Sequence, residues 1–412
     1  MRLLCISNGH GEDLIAVRIL QAVQGLLPHL EMAALPIVGE GWQYQKAGIE
    51  IIGPTKQMPS GGFIYMDSQQ LARDLQGGLL QLTVAQLRAM GQWLRTDDVV
   101  LAVGDIVPLL FGWLSRCAYG FVGTAKSEYY VRDEQGNCLD RSTLLDVLDF
   151  QRTCVYMPWE RWLMRRSACV FPRDGITTRR LQQWAVEAYD AGNPMMDGFL
   201  IPPAHGATDP ERLTVLLLPG SRAPEAYENW QRLLVGVDDI NRHLSQPVTF
   251  LAAITASLEL AQLTTILMAH GWQADGPPDG PLGGQNYRQG ENTLSMAAGA
   301  FMDYTQRATV AIATAGTATE QFVGLGKPVI TLPGNGPQFT HSFAQAQARH
   351  LGPSVTLVSH PHQVAETVRS ILGNPERQAA IYKNGRHRMG PPGASQRIAE
   401  ILAKTLLAKC LS

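Results

Sequence analysis

The sequence predicts an α/β protein built as two units, and three observations carry that reading. Short apolar runs alternate with segments of helical period, the pattern of βα units in a parallel sheet. The series runs through the first half and starts afresh at Leu213, after a stretch, Ile201–Pro210, that holds three prolines. At 412 residues the chain also exceeds the roughly 250–300 at which a single core stops growing. The expected units are 1–200 and 201–394, followed by a final helix over 395–412.

Composition narrows the class. Hydrophobic content of 45% and charged content of 17% fit a globular chain. A net charge of −2 argues against general nucleic-acid binding. Cys5, Cys117, Cys138, Cys154, Cys169 and Cys410 form no CxxC pair and no metal-type spacing. They read as reduced thiols in a cytoplasmic protein. The opening apolar run is too short for a signal peptide, and no stretch of 18 apolar residues could span a membrane.

The elements follow in order. Arg2–Ser7 reads as a strand, Asn8–Asp13 as a glycine-bearing turn, and Leu14–Leu27 as a helix that Pro28 ends. Strands are expected at Met32–Val38 and Ile49–Ile52, with a short helix at Trp42–Ala47. Residues 53–63 read as a loop and Leu71–Leu94 as largely helical. Val99–Val103 is a buried strand that ends on Gly104 and Asp105, before a helix over Val107–Cys117 and a strand at Tyr119–Val122. Charged and turn-forming residues dominate 126–142, which predicts an excursion from the sheet.

The span Arg152–Arg180 is locally basic. Arg152, Arg161, Arg165, Arg166, Arg173, Arg179 and Arg180 lie among Trp159, Trp162, Leu163 and Met164. Arginine beside tryptophan and leucine suits a surface facing anionic lipid. A half-buried helix with one solvated charged face explains the same residues.

In the second half, strands are expected at Leu213–Leu218, Val248–Ile254 and Thr293–Phe301. Helices are expected at Pro224–Val237, Leu258–His270, Met302–Ala308, Gln338–Leu351, Val364–Leu372 and Pro375–Lys383. Asp275–Asn286 reads as a loop. Ser395 is placed to cap the last amphipathic helix.

The centre of the chain is Ala311–Pro333. An apolar strand breaks at Gly316, a helix opens at Thr317, and a second β-rich run follows. The free N–H groups of Thr317, Ala318 and Thr319, with the helix dipole, would form an anion site. An ordinary βα turn with Thr317–Glu320 as a capping box explains the same residues. A comparable turn, Pro219-Gly220-Ser221-Arg222, follows Leu213–Leu218, and its arginine could pair with a phosphate in two-point fashion.

These motifs resemble a family. Leu217-Leu-Pro-Gly-Ser-Arg222 with Glu225, Ala315-Gly-Thr-Ala-Thr-Glu320 and Lys327-Pro-Val-Ile-Thr-Leu-Pro333 are similar to the bacterial lipid-A-disaccharide synthases. Looser similarities are Gly41–Glu50, Val99–Pro108 and Gly192-Asn-Pro-Met-Met-Asp197. The resemblance implies a GT-B fold, two Rossmann-like domains across a cleft, with the last helix packing back on the first. It implies an inverting glycosyltransferase with no metal and no cofactor beyond its UDP-sugar substrate. The acceptor would be a lipid, and the protein peripheral on the inner face of the membrane. Gly220, Ser221, Arg222, Gly316, Thr317, Ala318, Thr319 and Glu320 would line the donor nucleotide. Gly9, Gly11, Arg161 and Trp162 would lie on the acceptor side.

Two departures bear on the chemistry. The family's first loop reads GEASGD, where this chain has Asn8-Gly-His-Gly-Glu-Asp13. The family's strand end carries two aspartates; here Asp105 matches the first and Leu109 stands in place of the second. An inverting transfer needs a base for the acceptor hydroxyl. His10 and Asp105 are the candidates, with the carboxylate orienting the imidazole. A helix N-cap explains Asp105 equally, and a turn histidine explains His10, while Glu12 and Asp13 read as caps of the first helix. Two alternatives share the fold: a non-hydrolysing UDP-sugar 2-epimerase and an inactive nucleotide-sugar-binding protein. Release of UDP only when a lipid acceptor is present separates the transferase from both.

Overall fold

A computed structural model describes residues 1–56, 79–133, 136–138, 155–201, 212–276, 284–334, 336 and 339–408. It divides into two compact units, Met1–Asp197 with Pro391–Ser412, and Gly198–Gly390.

The first unit holds a six-stranded parallel sheet in the order β3-β2-β1-β4-β5-β6. Its strands are β1 (Leu3–Ser7), β2 (Met32–Pro36), β3 (Glu50–Ile51), β4 (Val99–Gly104), β5 (Ala118–Gly123) and β6 (Cys169–Phe171). Every residue of β1 and β4 is buried. That follows from helices covering both faces of a parallel sheet. The pleat sorts the residues. Leu3, Cys5, Val99, Leu101 and Val103 pack into one apolar cluster, and Leu4, Ile6, Val100 and Ala102 into another.

The first cluster is closed by the His10–Leu26 helix and by the Ala394–Thr405 helix, which supplies Ile398, Ala399 and Leu402. The N-terminus of that last helix is not capped by Ser395, as its sequence suggests. Asp197 receives the N–H groups of Gly393, Ala394 and Ser395 at 2.6, 2.9 and 2.8 Å. A carboxylate at the positive end of a helix satisfies its orphan donors. Asp197 and Ser395 lie far apart in sequence, so local pattern does not reveal the pairing.

The second unit is an eight-stranded sheet in the order β14-β13-β12-β7-β8-β11-β10-β9. Its strands are β7 (Leu213–Leu218), β8 (Val248–Ile254), β9 (Gln273–Ala274), β10 (Gln285–Gln289), β11 (Asn292–Ala298), β12 (Val310–Ala313), β13 (Val329–Thr331) and β14 (Val355–Leu357). β10 pairs antiparallel with both β11 and β9, and all other pairs are parallel. The β10 strand falls partly in the segment read as a loop. Gln285, Asn286, Arg288 and Gln289 carry little apolar signal, and only Tyr287 is buried.

Several expected boundaries move. The first helix begins at His10, not Leu14, so the β1 turn shrinks to Asn8 and Gly9. The helix over Glu225–His243 and that over Pro375–Met389 outrun their apolar patterns. The loop after residue 56, the 71–78 part of the expected helix, residues 134–135 and 139–142 of the 126–142 excursion and most of the Ile201–Pro210 linker lie outside the described residues; the described part of the excursion carries the short helix Glu128–Tyr130 and no strand of the sheet.

Candidate functional site

In each unit the strand order reverses at one point. In the first it lies between β1 and β4, and in the second between β7 and β12. Open parallel sheets bind ligands at the carboxyl ends of the strands at such points. All the candidate residues except Arg161 and Trp162 follow these four strands.

At the β1/β4 point the groups are carboxylates. Gly104 ends β4 with φ +137°, and a Cβ there would meet Pro108 Cγ at 3.2 Å and Asn8 Cβ and Glu12 Cγ at 3.4 Å. The bare glycine therefore lets the Glu12 side chain lie across the strand end. Glu12 Oε1 accepts from Thr124 Oγ1 at 3.2 Å. Burial, with the nearby charges of Asp105 and Asp13, pushes its carboxyl up to about 7. Asp105 caps the Ile106–Leu114 helix, accepting from Val107 N at 2.8 Å, and also bonds the Asn8 side chain. Burial raises it to about 6 against those bonds, with Glu160 adding to the rise. The capping explanation of Asp105 is thus real.

Asp13, by contrast, is not a cap. It is 2% exposed and accepts from Ser7 Oγ at 2.5 Å, and that hydroxyl also meets Tyr44 Oη at 2.6 Å. Burial lifts Asp13 to about 7. Gly9 precedes the helix and Gly11 lies exposed within its first turn. His10 is the first helical residue. Its side chain lies outside the described residues, and so does its distance to Asp105.

Sequence reasoning passed over the pair beneath this site. Lys126 Nζ donates to Glu160 Oε2 at 2.7 Å, with side chains only 4% and 1% exposed. Glu160 also accepts from Met157 N. In sequence the two residues belong to a charged excursion and a basic span, and nothing in the local pattern joins them.

The basic span is not one surface. Arg173 is buried and donates to Thr124 O at 3.0 Å. Arg161 is half-buried and stacks on Trp184. Trp159, Trp162, Arg165, Arg166 and Arg179 face outward. Arg166 lies 3.5 Å over the Trp162 ring, and Trp162 meets Trp113 edge-on. Leu110, Trp113 and Leu114 of the Ile106–Leu114 helix are also exposed. Arg152 lies outside the described residues. Among the described residues no helix is long and apolar enough to cross a membrane.

At the β7/β12 point the groups are donors. Gly220 has φ +99°, and a Cβ there would stand 3.4 Å from Thr314 O. The two turns therefore touch. Thr314 N and Oγ1 both donate to Leu218 O. Ser221 O accepts from Ser257 Oγ at 2.9 Å. Ser221 and Arg222 are exposed. Glu225, in the same motif, is buried and accepts from Phe339 N at 2.7 Å.

The helix here is Thr317–Gly324, with Gly316 as its N-cap and no side-chain cap bond. The capping box expected from Thr317 and Glu320 is therefore absent, because Thr317 already lies inside the helix. Thr319 N turns back to Gly316 O at 3.1 Å, so of the three N–H groups expected to be open, that of Thr319 is occupied. Those of Thr317 and Ala318 remain at the helix end. Glu320 Oε1 stands 3.6 Å from Nδ1 of the buried His350.

No protein-family model matches the chain, and no curated protein matches it in sequence. Solved structures match it along nearly its whole length. MurG from Acinetobacter baumannii is 13% identical with a TM-score of 0.58, over 98% of this chain and 99% of the other. CalG4, the calicheamicin glycosyltransferase, is also 13% identical with a TM-score of 0.58, over 98% of both. The UDP-GlcNAc 2-epimerase of Methanocaldococcus jannaschii, solved with UDP-GlcNAc and UDP, is 15% identical with a TM-score of 0.53. That match covers 98% of this chain and 100% of the other. At these identities the likeness establishes the fold. The chain has the two-unit α/β fold of GT-B glycosyltransferases and UDP-sugar epimerases.

Proposed function

We propose that the chain is an inverting glycosyltransferase of the lipid-A-disaccharide synthase type. It moves a hexose or N-acetylglucosamine-type unit from a UDP-sugar to a lipid-linked acceptor, with no metal and no other cofactor. One observation carries the donor half. The Pro219–Arg222 turn and the open end of the Thr317–Gly324 helix meet at the strand-order reversal of the second unit. Exposed Arg222 and free N–H groups together match the charge of a diphosphate. A neighbour of the same fold was solved with UDP-GlcNAc and UDP.

In the reaction, the acceptor oxygen bonds to the anomeric carbon on the face opposite the diphosphate. The carbon–oxygen bond to UDP breaks, and UDP leaves with the electron pair. Arg222 and the helix end stabilise that charge. The hydroxyl proton passes to a base in the first unit. His10, backed by Asp105, fills that role. The elevated Glu12 and Asp105 carboxyls suit proton exchange near neutrality.

The acceptor side belongs to the first unit. The exposed Trp113, Trp159 and Trp162 with Arg165 and Arg166 favour peripheral contact with anionic lipid on the cytoplasmic side. Flotation with anionic and neutral liposomes tests this contact, and equal, negligible binding to both overturns it.

The decisive assay offers UDP-sugars with and without lipid acceptors and measures UDP. Release of UDP that requires the acceptor supports transfer. Conversion of UDP-GlcNAc at C2 with no acceptor supports the epimerase reading, which the epimerase among the fold neighbours favours. Binding without turnover indicates an inactive sugar-nucleotide-binding protein.

A further inference from the structure

The helix His341–Leu351 packs against the proposed donor turn, with Phe343 beside Gly316, and hydrogen-bonds to its backbone through Gln347. Gln347 is 3% exposed, and its Nε2 donates to Ala315 O and Gly316 O, each at 3.1 Å. Thr319 Oγ1 donates to Ala315 O as well, at 2.6 Å. Gly316 O also accepts from Thr319 N and Glu320 N. In a planar trans peptide the N–H points opposite to the C=O. Drawing these two carbonyls inward therefore turns the N–H groups of Gly316 and Thr317 outward. Thr317 is exposed, and among the described residues no acceptor faces either N–H.

Gln347 Oε1 meets no donor among the described residues. A buried amide with an unfilled acceptor carries a desolvation cost that an apolar residue of similar size avoids. The side chain's contribution here is its donor, and its donor acts on this turn alone.

We infer that Gln347 is a positioning residue for the donor diphosphate: it aims the Gly316 and Thr317 N–H groups at the anion without touching it. The inference rests on the donor-site reading above. It assigns to a buried residue on a separate helix, well beyond Glu320 in the chain, a part in recognition that no contact with ligand would reveal.

The test compares UDP with uridine, which lacks the phosphates. Gln347→Glu keeps the size and turns the donor into an acceptor. Gln347→Met keeps the volume and removes polarity, and serves if the charged variant fails to fold. Each variant's thermal midpoint is measured first, and calorimetric titration follows. Loss of two aimed donors should weaken UDP binding by about tenfold or more. Uridine binding should stay within about twofold, because the turn's packing against the nucleoside is unchanged. Wild-type UDP affinity in a folded variant overturns the inference, and so does an equal loss for uridine and UDP, which marks a purely structural role. If the wild type binds no UDP, the donor-site reading itself fails, and the inference falls with it; the wild-type titration tells that case apart from the others.

Discussion

The two strand-order reversals share a topology and differ in charge. Between β1 and β4 the chain gathers Glu12, Asp13 and Asp105, all pushed up by burial. Between β7 and β12 it gathers N–H groups and Arg222. Both loops follow a short buried strand and lead to a helix, so backbone geometry does not separate them. Side-chain chemistry does. The first point can take up a proton, and the second can hold an anion. A group transfer from a phosphorylated donor needs one of each.

The comparison breaks most sharply on rate. His10→Ala should slow transfer by about 10²–10⁴ while leaving UDP binding intact, as expected for loss of a positioned base. If UDP binding falls as far as the rate, the division of labour between the units is wrong. Glu12→Gln sharpens the same point. The charge of Asp105 adds to the rise of Glu12. Activity that requires their ionised form should fall as pH drops below about 6–7. In Glu12→Gln that acid limb should shift, whereas an unmoved limb would assign it elsewhere, His10 included.

The next effect is on stability. Asp13 has a folded-state value near 7 against 3.8 for the free group. The folded state thus binds its proton more tightly than the unfolded state does. Stability should fall as pH rises from about 4 to about 7 and level off above, by at most ~4 kcal/mol. Asp13→Asn can still accept the Ser7 hydroxyl and should flatten this slope, gaining stability at pH 8 relative to pH 5. Chemical denaturation at the two pH values reads it. Parallel shifts of variant and wild type would show that Asp13 is ionised in the fold.

At the other point, Arg222→Ala should weaken UDP binding by about 1.5–3 kcal/mol through loss of a charge-assisted bond. Unchanged affinity would remove the phosphate assignment. The smallest effect belongs to Glu320→Gln. With no capping box to lose, any drop in UDP affinity reports contact with the ribose hydroxyls. Equal binding would remove the ribose assignment.

The α/β class, the restart at Leu213 and the two strand-end turns, Pro219–Arg222 and the one at Gly316, were legible because they are local. Strand and helix periods, a glycine at a strand end and a serine–arginine turn are each written within about ten consecutive residues. Even Asp105 as a helix cap was open to that reading. What the tertiary structure alone decided is which charged residues are buried and with whom. Asp197 caps a helix that begins 197 residues later, and Lys126 closes on Glu160 across a segment that reads as solvated. Gln347 reaches back to Ala315 and Gly316 from a different helix. In all three a polar group that cannot stay unsatisfied finds a partner set by the packing of elements and not by distance along the chain: burial makes the Lys126–Glu160 charges and the Gln347 amide costly alone, and the orphan N–H groups of a helix end draw in Asp197. The same burial raises Glu12 and Asp105 toward neutral pH, which no pattern of neighbouring residues encodes.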